Sequence, residues 1–234
     1  MLPVFILCGG KGTRLQNLVS DVPKPMAPIN KVPFLSILLN YLSKQGIQNV
    51  VLCTGYRSNI IEKYFKNHKF KNIKITYSKE ESPLGTGGSI LNALNLIEED
   101  EFLVINGDTF FEIDIQDFYQ DRFKEKDVIV GVRTISGDNR YNFININDNL
   151  EIISIAPKQT QFEGLINGGV IRLNKSIFEN QKIRNFSLEN YLFSKISFFN
   201  TAVLISEGKF IDIGIPEDFL EAQNYLYDES KELE

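Results

Sequence analysis

The sequence predicts an α/β fold of the Rossmann-like, three-layer kind, with a mainly parallel central sheet and a small antiparallel addition. Short apolar runs that suit buried strands alternate with segments whose apolar residues recur at helical spacing. Such a succession is typical of parallel sheets covered by helices on both faces. The 234 residues, 43% of them hydrophobic, suffice for one substantial core. We expect one domain at residues 1–228 and an acidic tail at 229–234 that frays.

The elements are predicted in order along the chain. Strands are expected at 4–7, 50–53, 73–77, 102–105, 128–134, 202–205 and 210–213, and helices at 34–42, 58–65, 89–96, 114–126, 188–199 and 216–227. The antiparallel addition is predicted from two short apolar runs, 143–146 and 152–155, that flank an Asn-Asp-Asn turn. Residues 80–88, rich in glycine, are expected to hold no regular structure.

Composition excludes several functional classes. The net charge is −5 and no basic stripe is present, which argues against nucleic acid as a partner. His68 is the only histidine, so histidine triads and multi-histidine metal sites have almost no material. The two cysteines, Cys8 and Cys53, end apolar runs and are interpreted as buried thiols. No signal peptide or membrane-length apolar run is visible, so we expect a cytoplasmic protein without a membrane partner. The oligomeric state stays open, a homodimer included.

The loop after the first predicted strand is suited to phosphate. Gly9, Gly10 and Gly12 can adopt conformations closed to other residues and let backbone N–H groups approach an oxyanion. Arg14 adds a planar cation that matches phosphate oxygens. Lys24 adds a point charge, and the prolines on either side restrict its backbone.

Two better-known glycine loops do not fit this stretch. The Walker loop requires Ser or Thr directly after its Gly-Lys pair, and here Gly10-Lys11 is followed by Gly12. The Rossmann fingerprint requires glycine or alanine at position 15, which is Leu15. Any single residue of the loop also fits a solvated strand-to-helix turn.

Two aspartates at predicted strand ends suggest a metal. Asp108 follows Phe-Leu-Val-Ile-Asn-Gly, and Asp212 lies within Phe-Ile-Asp-Ile-Gly. The apolar flanks draw each carboxylate toward burial, where it requires a partner. Magnesium held by one or two carboxylates and by substrate phosphates would serve, although either residue alone also fits a turn or cap.

The run Gly-x-Gly-Thr-Arg-Leu from Gly10 to Leu15, with Pro-Lys-Pro at 23–25, resembles the opening signature of the sugar-1-phosphate nucleotidyltransferases. The resemblance covers the chain from Val4 to about Tyr227. It implies a fold of the nucleotide-diphospho-sugar transferase type. It also implies a reaction in which a nucleoside triphosphate and a sugar 1-phosphate form a nucleotide sugar and pyrophosphate.

The resemblance also assigns roles to individual residues. The catalytic cations are Arg14 and Lys24, and the Mg²⁺ ligands are Asp108 and Asp212. The nucleotide site comprises Leu7, Gly9, Gly10, Gly12, Thr13, Arg14, Glu80, Pro83, Gly85, Thr86 and Asp108. The sugar-phosphate site comprises Asn142, Lys158, Asn167, Gly168 and Glu189.

The choice of base and sugar depends on finer features. Glu80 stands where a base-reading side chain is expected, and a carboxylate that only accepts hydrogen bonds suits guanine, although an ordinary surface charge fits Glu80 as well. Pro-Leu-Gly-Thr-Gly-Gly, Asn-Gly-Asp-Thr-Phe-Phe and Asp-Ile-Gly-Ile-Pro-Glu-Asp-Phe are similar to the bacterial guanylyltransferases of a heptose 1-phosphate. Pro157-Lys158-Gln159 replaces the family's Glu-Lys-Pro, and Asn142 replaces a common glycine. Both departures fall on the sugar side.

Two other functional classes are alternatives to a nucleotidyltransferase. A glycosyltransferase would typically hold its metal with Asp-x-Asp, and the nearest triplet here is Glu112-Ile113-Asp114. It would release a nucleoside diphosphate instead of pyrophosphate. A catalytically silent regulatory subunit would be expected to lose a charged group, whereas Arg14, Lys24, Asp108 and Asp212 are all present.

Overall fold

The computed structural model describes residues 1–15, 18–68, 70, 72–137, 140–158 and 163–233. The strands are β1 (Val4–Cys8), β2 (Pro28–Ile29), β3 (Val32–Pro33), β4 (Asn49–Thr54), β5 (Lys74–Lys79), β6 (Glu101–Asn106), β7 (Thr109–Phe111), β8 (Val128–Ser136), β9 (Phe143–Ile146), β10 (Ile152–Ala156), β11 (Glu163–Asn174), β12 (Thr201–Ile205) and β13 (Phe210–Asp212). The helices are α1 (Phe34–Lys44), α2 (Ser58–Asn67), α3 (Gly85–Ala93), α4 (Leu188–Ser194), α5 (Pro216–Tyr225) and α6 (Tyr227–Lys231).

The central sheet is mixed and mainly parallel, as the sequence predicts. Its strands run in the order β5-β4-β1-β6-β11-β8-β12, and β11 is antiparallel to both of its neighbours, β6 and β8. The other neighbouring pairs are parallel. The predicted antiparallel addition is β9 with β10, which joins the sheet through the first half of β11.

Helices cover both faces of this sheet because successive strand residues point to opposite sides. Ile6 of β1 packs in a cluster with Leu39 of α1 and Ile61 of α2. Its neighbour Phe5 packs on the other face in a cluster that includes Ile90 of α3. The three-layer prediction is therefore confirmed. No helix within the described residues is long and apolar enough to cross a bilayer.

Two local predictions were wrong. The predicted helix at 114–126 is a pair of short 3-10 helices, Ile115–Tyr119 and Asp121–Phe123. Residues 80–88 were expected to be irregular, yet α3 begins at Gly85, where φ is +67°. The predicted tail at 229–234 begins inside α6, where Ser230 is 1% exposed, and its fraying stays a prediction. Glu234 lies outside the described residues.

The interpretation of Cys8 and Cys53 as buried thiols is confirmed, and it predicts their reactivity. Both are free cysteines buried in the core. Burial raises the pKa of Cys53 to about 12 and raises the pKa of Cys8 well above its ordinary value. Because the thiolate is the reactive form, we expect almost no reaction with Ellman's reagent in the native protein and two equivalents after unfolding in guanidinium. Rapid native-state labelling at pH 8 would contradict the prediction.

Candidate active site

A cavity of about 950 Å³ opens at the carboxyl ends of the parallel strands. In open α/β sheets this is where ligands bind. Many of the residues singled out from the sequence line it: Leu7, Gly9, Gly10, Gly12, Thr13, Arg14, Lys24, Glu80, Pro83, Gly85, Thr86, Asp108, Asn167 and Glu189. The structure thus brings together the glycine loop, the 83–86 loop and Asp108, as the predicted topology requires. The roles of these residues stay predictions.

The glycine loop lies against Lys24. Gly12 has φ of +59°, and a Cβ there would lie 2.9 Å from the Cβ of Lys24, so a side chain is excluded both by conformation and by space. Arg14 is exposed on the cavity wall, where it has no ion-pair partner among the described residues. One exposed cation, Arg14, and one ion-paired cation, Lys24, therefore face the same space.

Lys24 lies between the two candidate metal-binding acids. Its ammonium contacts the Asp108 carboxylate directly and lies 3.5 Å from Oδ1 of Asp212. The side chain of Lys24 is 10% exposed, against 35% for Asp108 and 25% for Asp212. The two acids are 104 positions apart in sequence, and the fold brings both of them to the same ammonium group.

The ribbon of β7 and β13 brings the acids together. These strands pair antiparallel, with Asp212 opposite Thr109, the residue after Asp108. The N–H of Ile213 donates to the carbonyl of Asp108 over 3.0 Å. The N–H of Gly214 donates to Oδ1 of Asp212 over 2.8 Å and fixes that carboxylate. The fold thus brings both acids to Lys24, and their role as metal ligands stays a prediction.

The electrostatics of Asp212 reflect a crowded acidic pair. Burial raises the pKa of the Asp212 carboxyl above its ordinary value, and the negative charge of Asp108 raises it further. Lys24 and the N–H of Gly214 lower the pKa of Asp212.

Two carboxylates in this position are stabilised by a cation, and their oxygens are the donors that Mg²⁺ prefers. The described residues contain no group of three or more metal-ligating side chains, so the donor set fits an ion that takes its remaining ligands from phosphates and water.

Glu80 is a fixed part of the cavity wall. Its Oε2 accepts hydrogen bonds from the N–H of Leu84 at 3.1 Å and from the hydroxyl of Ser89 at 2.8 Å. Its other oxygen crowds two glycines, because a Cβ on Gly9 or Gly55 would lie 2.7 or 2.3 Å from Oε1. Glu80 is therefore half-buried and held by two hydrogen bonds, and its role in reading the base stays a prediction.

On the opposite side of the cavity, Asn167 and Glu189 meet. The amide of Asn167 donates to Oε1 of Glu189 over 3.2 Å, and its Oδ1 accepts from the N–H of Gly169. This pairing follows a register shift between β11 and β8, where Gly169 has φ of +81°. Both side chains thus line the cavity in fixed orientations.

The remaining members of the predicted sugar site lie outside the cavity lining. Gly168 packs against Phe111, and a Cβ added to Gly168 would lie 2.3 Å from Cδ1 of Phe111. Asn142 accepts a hydrogen bond from the N–H of exposed Lys158, at the ends of β9 and β10. Gln159 lies outside the described residues. The roles of these residues stay predictions that the arrangement of side chains does not favour.

Several lining residues were missed from the sequence. They are Tyr56, Asn106, Asn185, Ser187 and Gly214. Asn106 and Gly214 directly neighbour the Gly-Asp and Asp-Ile segments that carry the candidate acids, so proximity in sequence could have indicated them. Asn185 and Ser187 lie in an irregular polar stretch that carries no recognisable signal.

This fold and site define a nucleotidyltransferase, and comparison with known proteins agrees. The chain belongs to the family described as nucleotidyl transferase, whose model matches residues 4–229. It is 40% identical to the D-glycero-α-D-manno-heptose 1-phosphate guanylyltransferase of Campylobacter jejuni, with 93% of this chain and 97% of that protein covered. It is 41% identical to the protein of the same name from Aneurinibacillus thermoaerophilus, with 96% and 98% covered.

A solved structure is similar over its whole length. HddC from Yersinia pseudotuberculosis, complexed with GMP-PN, superposes with a TM-score of 0.86 at 36% identity, covering 96% of this chain and 99% of that one. The predicted family membership is therefore confirmed.

Proposed function

We propose that this protein transfers GMP from GTP to D-glycero-α-D-manno-heptose 1-phosphate, releasing pyrophosphate and forming the GDP-heptose. The observation that carries the proposal is that Lys24 and Asp108 line a cavity large enough for two substrates, with Asp212 behind them 3.5 Å from the Lys24 ammonium. The names of the relatives from Campylobacter jejuni and Aneurinibacillus thermoaerophilus support the choice of base and sugar. The product would supply activated heptose for capsule or other polysaccharide, made in the cytoplasm where GTP is available.

The chemistry requires positioning and charge neutralisation more than a protein nucleophile. A phosphate oxygen of the sugar 1-phosphate forms a bond to the α-phosphorus of GTP. The bond between that phosphorus and the oxygen that links it to the β-phosphate breaks, and this oxygen leaves with pyrophosphate. Arg14 and Lys24 would neutralise the charge on the phosphates and on the leaving group. Asp108 and Asp212 would hold Mg²⁺, which supplies charge stabilisation at the phosphoryl oxygens when bound.

An assay of substrates tests this function directly. The protein would be incubated with each of the four ribonucleoside triphosphates and dTTP, together with mannose, glucose and D-glycero-α-D-manno-heptose 1-phosphates. We expect the largest kcat/KM for pyrophosphate release with GTP and the heptose 1-phosphate. Release of GDP, or no pyrophosphate with any pair, would refute the proposal.

Base selection is proposed to depend on Glu80. With Oε2 held by Leu84 and Ser89, the carboxylate presents fixed acceptors toward the N–H groups of a guanine edge. Glu80→Gln replaces an acceptor by a donor at this edge. We expect kcat/KM for GTP to fall by about tenfold or more, with a smaller change for ATP and hence weaker discrimination.

The matched control for this variant is Glu99→Gln, which removes a carboxylate from an exposed position. Its kinetics should equal those of the unmodified protein. If Glu80→Gln lowers activity with GTP and ATP by the same factor, Glu80 only supports the loop and the proposed base contact is wrong.

A further inference from the structure

The 83–88 loop, which runs into the first turn of α3, is joined to the segment 184–189 by several hydrogen bonds. The N–H of Gly87 donates to the carbonyl of Phe186 and the N–H of Phe186 donates to the carbonyl of Leu84, both at 3.0 Å. The amide of Asn185 donates to the carbonyl of Pro83 at 2.7 Å. Residues of both segments line the cavity.

The glycines of this loop are required by the same contact. A Cβ on Gly85 would lie 2.5 Å from the carbonyl oxygen of Phe186, and one on Gly87 would lie 2.1 Å from the Phe186 ring. A Cβ on Gly88 would lie 2.1 Å from the carbonyl oxygen of Arg184. No side chain fits between the two segments. Packing this close leaves little room for one segment to move without the other.

Thr86 extends the connection to the side of the cavity where the predicted sugar-phosphate residues lie. Its hydroxyl oxygen accepts a hydrogen bond from the N–H of Leu188 at 2.8 Å, in the first turn of α4. The next residue is Glu189, whose carboxylate receives the amide of Asn167. A chain of direct contacts therefore runs from the predicted nucleotide loop to the predicted sugar-binding acid.

We propose that Thr86 is a positioning residue that couples nucleotide binding to the placement of Glu189 for the sugar phosphate. The inference rests on the proposed function and adds a role to it. The resemblance to the family places Thr86 among the nucleotide contacts, and here one lone pair of its hydroxyl oxygen also accepts the N–H of Leu188. Nucleotide that orders the 83–86 loop orders α4 through this bond, so the two substrates favour each other's binding.

The kinetic test uses Thr86→Val, which keeps the shape of the side chain and removes the hydroxyl acceptor, with Thr86→Ser as the conservative variant. For Thr86→Val we expect the KM for the sugar 1-phosphate at saturating GTP to rise by about three- to tenfold, the range one hydrogen bond supplies, with the Kd of GTP measured without the sugar 1-phosphate within about twofold. Thr86→Ser should restore the KM for the sugar 1-phosphate. Asn185→Ala, which removes the bond to Pro83, should shift the same constant in the same direction.

A second readout does not require turnover. Amide hydrogen exchange of residues 187–192 would be measured with and without whichever nucleoside triphosphate binds. We expect the nucleotide to slow exchange there in the unmodified protein and in Thr86→Ser, and to leave it nearly unchanged in Thr86→Val.

The outcomes separate the two proposals. A Kd of GTP, measured without the sugar 1-phosphate, that rises as much as the KM for the sugar 1-phosphate would overturn the coupling, as would a Thr86→Ser variant no better than Thr86→Val. So would nucleotide-induced protection of residues 187–192 that persists in Thr86→Val. Absence of pyrophosphate release by the unmodified protein would instead refute the proposed reaction, and the exchange measurement would still decide whether the two segments are coupled.

Discussion

Replacing Asp108 with asparagine is expected to lower kcat by about three orders of magnitude or more while leaving the fold intact. The variant removes one of the two carboxylates proposed to hold Mg²⁺, and such an ion contributes several kcal/mol of charge stabilisation, with about 1.4 kcal/mol per factor of ten in rate. Lys24 keeps its contact with Asp212, 3.5 Å away, so the charges left in the site remain paired. Initial rates of pyrophosphate release measured against magnesium concentration would check both kcat and the Mg²⁺ requirement.

The control for this prediction is Asp148→Asn, which removes a carboxylate from the exposed turn between β9 and β10. It should retain full activity, and both variants should unfold within a few degrees of the unmodified protein. Activity of Asp108→Asn within about tenfold of normal, at saturating magnesium, would refute the metal assignment.

Replacing Arg172 with methionine is expected to destabilise the protein by about 3 kcal/mol, or about 6–12 °C in the melting temperature for a chain of this size. Arg172 is 4% exposed. Its guanidinium donates to the carbonyls of Phe118 at 2.8 Å, Phe123 at 2.6 Å and Lys126 at 3.3 Å, and lies 3.1 Å from Glu101. Methionine fills much of the volume but leaves these acceptors without a donor in a buried site.

Arg122→Met is the matched control, because Arg122 is exposed and its guanidinium only stacks over the ring of Phe123 at 4.5 Å. Its cost should stay within about 1 kcal/mol. Urea denaturation followed by circular dichroism measures both variants. If the two lose equal stability, the carbonyl contacts of Arg172 contribute nothing specific.

The core architecture could be predicted from the sequence because it depends on local patterns. A buried strand such as β1 shows as a short apolar run, and the alternation of runs with helical spacing indicates a parallel sheet. The site followed from the same logic, because the glycine loop and Asp108 both come directly after strands. Strand ends of a parallel sheet share one edge, so these groups had to converge.

What could not be predicted depends on partners that are distant in sequence. The apolar residues of the stretch 114–126 have helical spacing. The guanidinium of Arg172 in β11, however, donates hydrogen bonds to backbone carbonyls of this stretch, and the chain forms 3-10 turns instead. Similarly, the glycines at 85, 87 and 88 suggest a flexible loop until Phe186 and Arg184 are seen to pack against them. Tertiary contact overrides local preference in both places.

The last helix has a practical consequence for anyone engineering this enzyme. Ser230 of α6 is buried and accepts from Asn30 in the turn between β2 and β3, while Glu229 pairs with Lys209 at 2.8 Å. The family model's match ends at residue 229, inside that helix. A fragment trimmed to that limit for expression would lose one of the hydrogen bonds that hold the hairpin after Pro25, leaving those from Gln223 of α5. Recombinant versions should therefore keep residues through Leu233 and carry any C-terminal tag on a spacer.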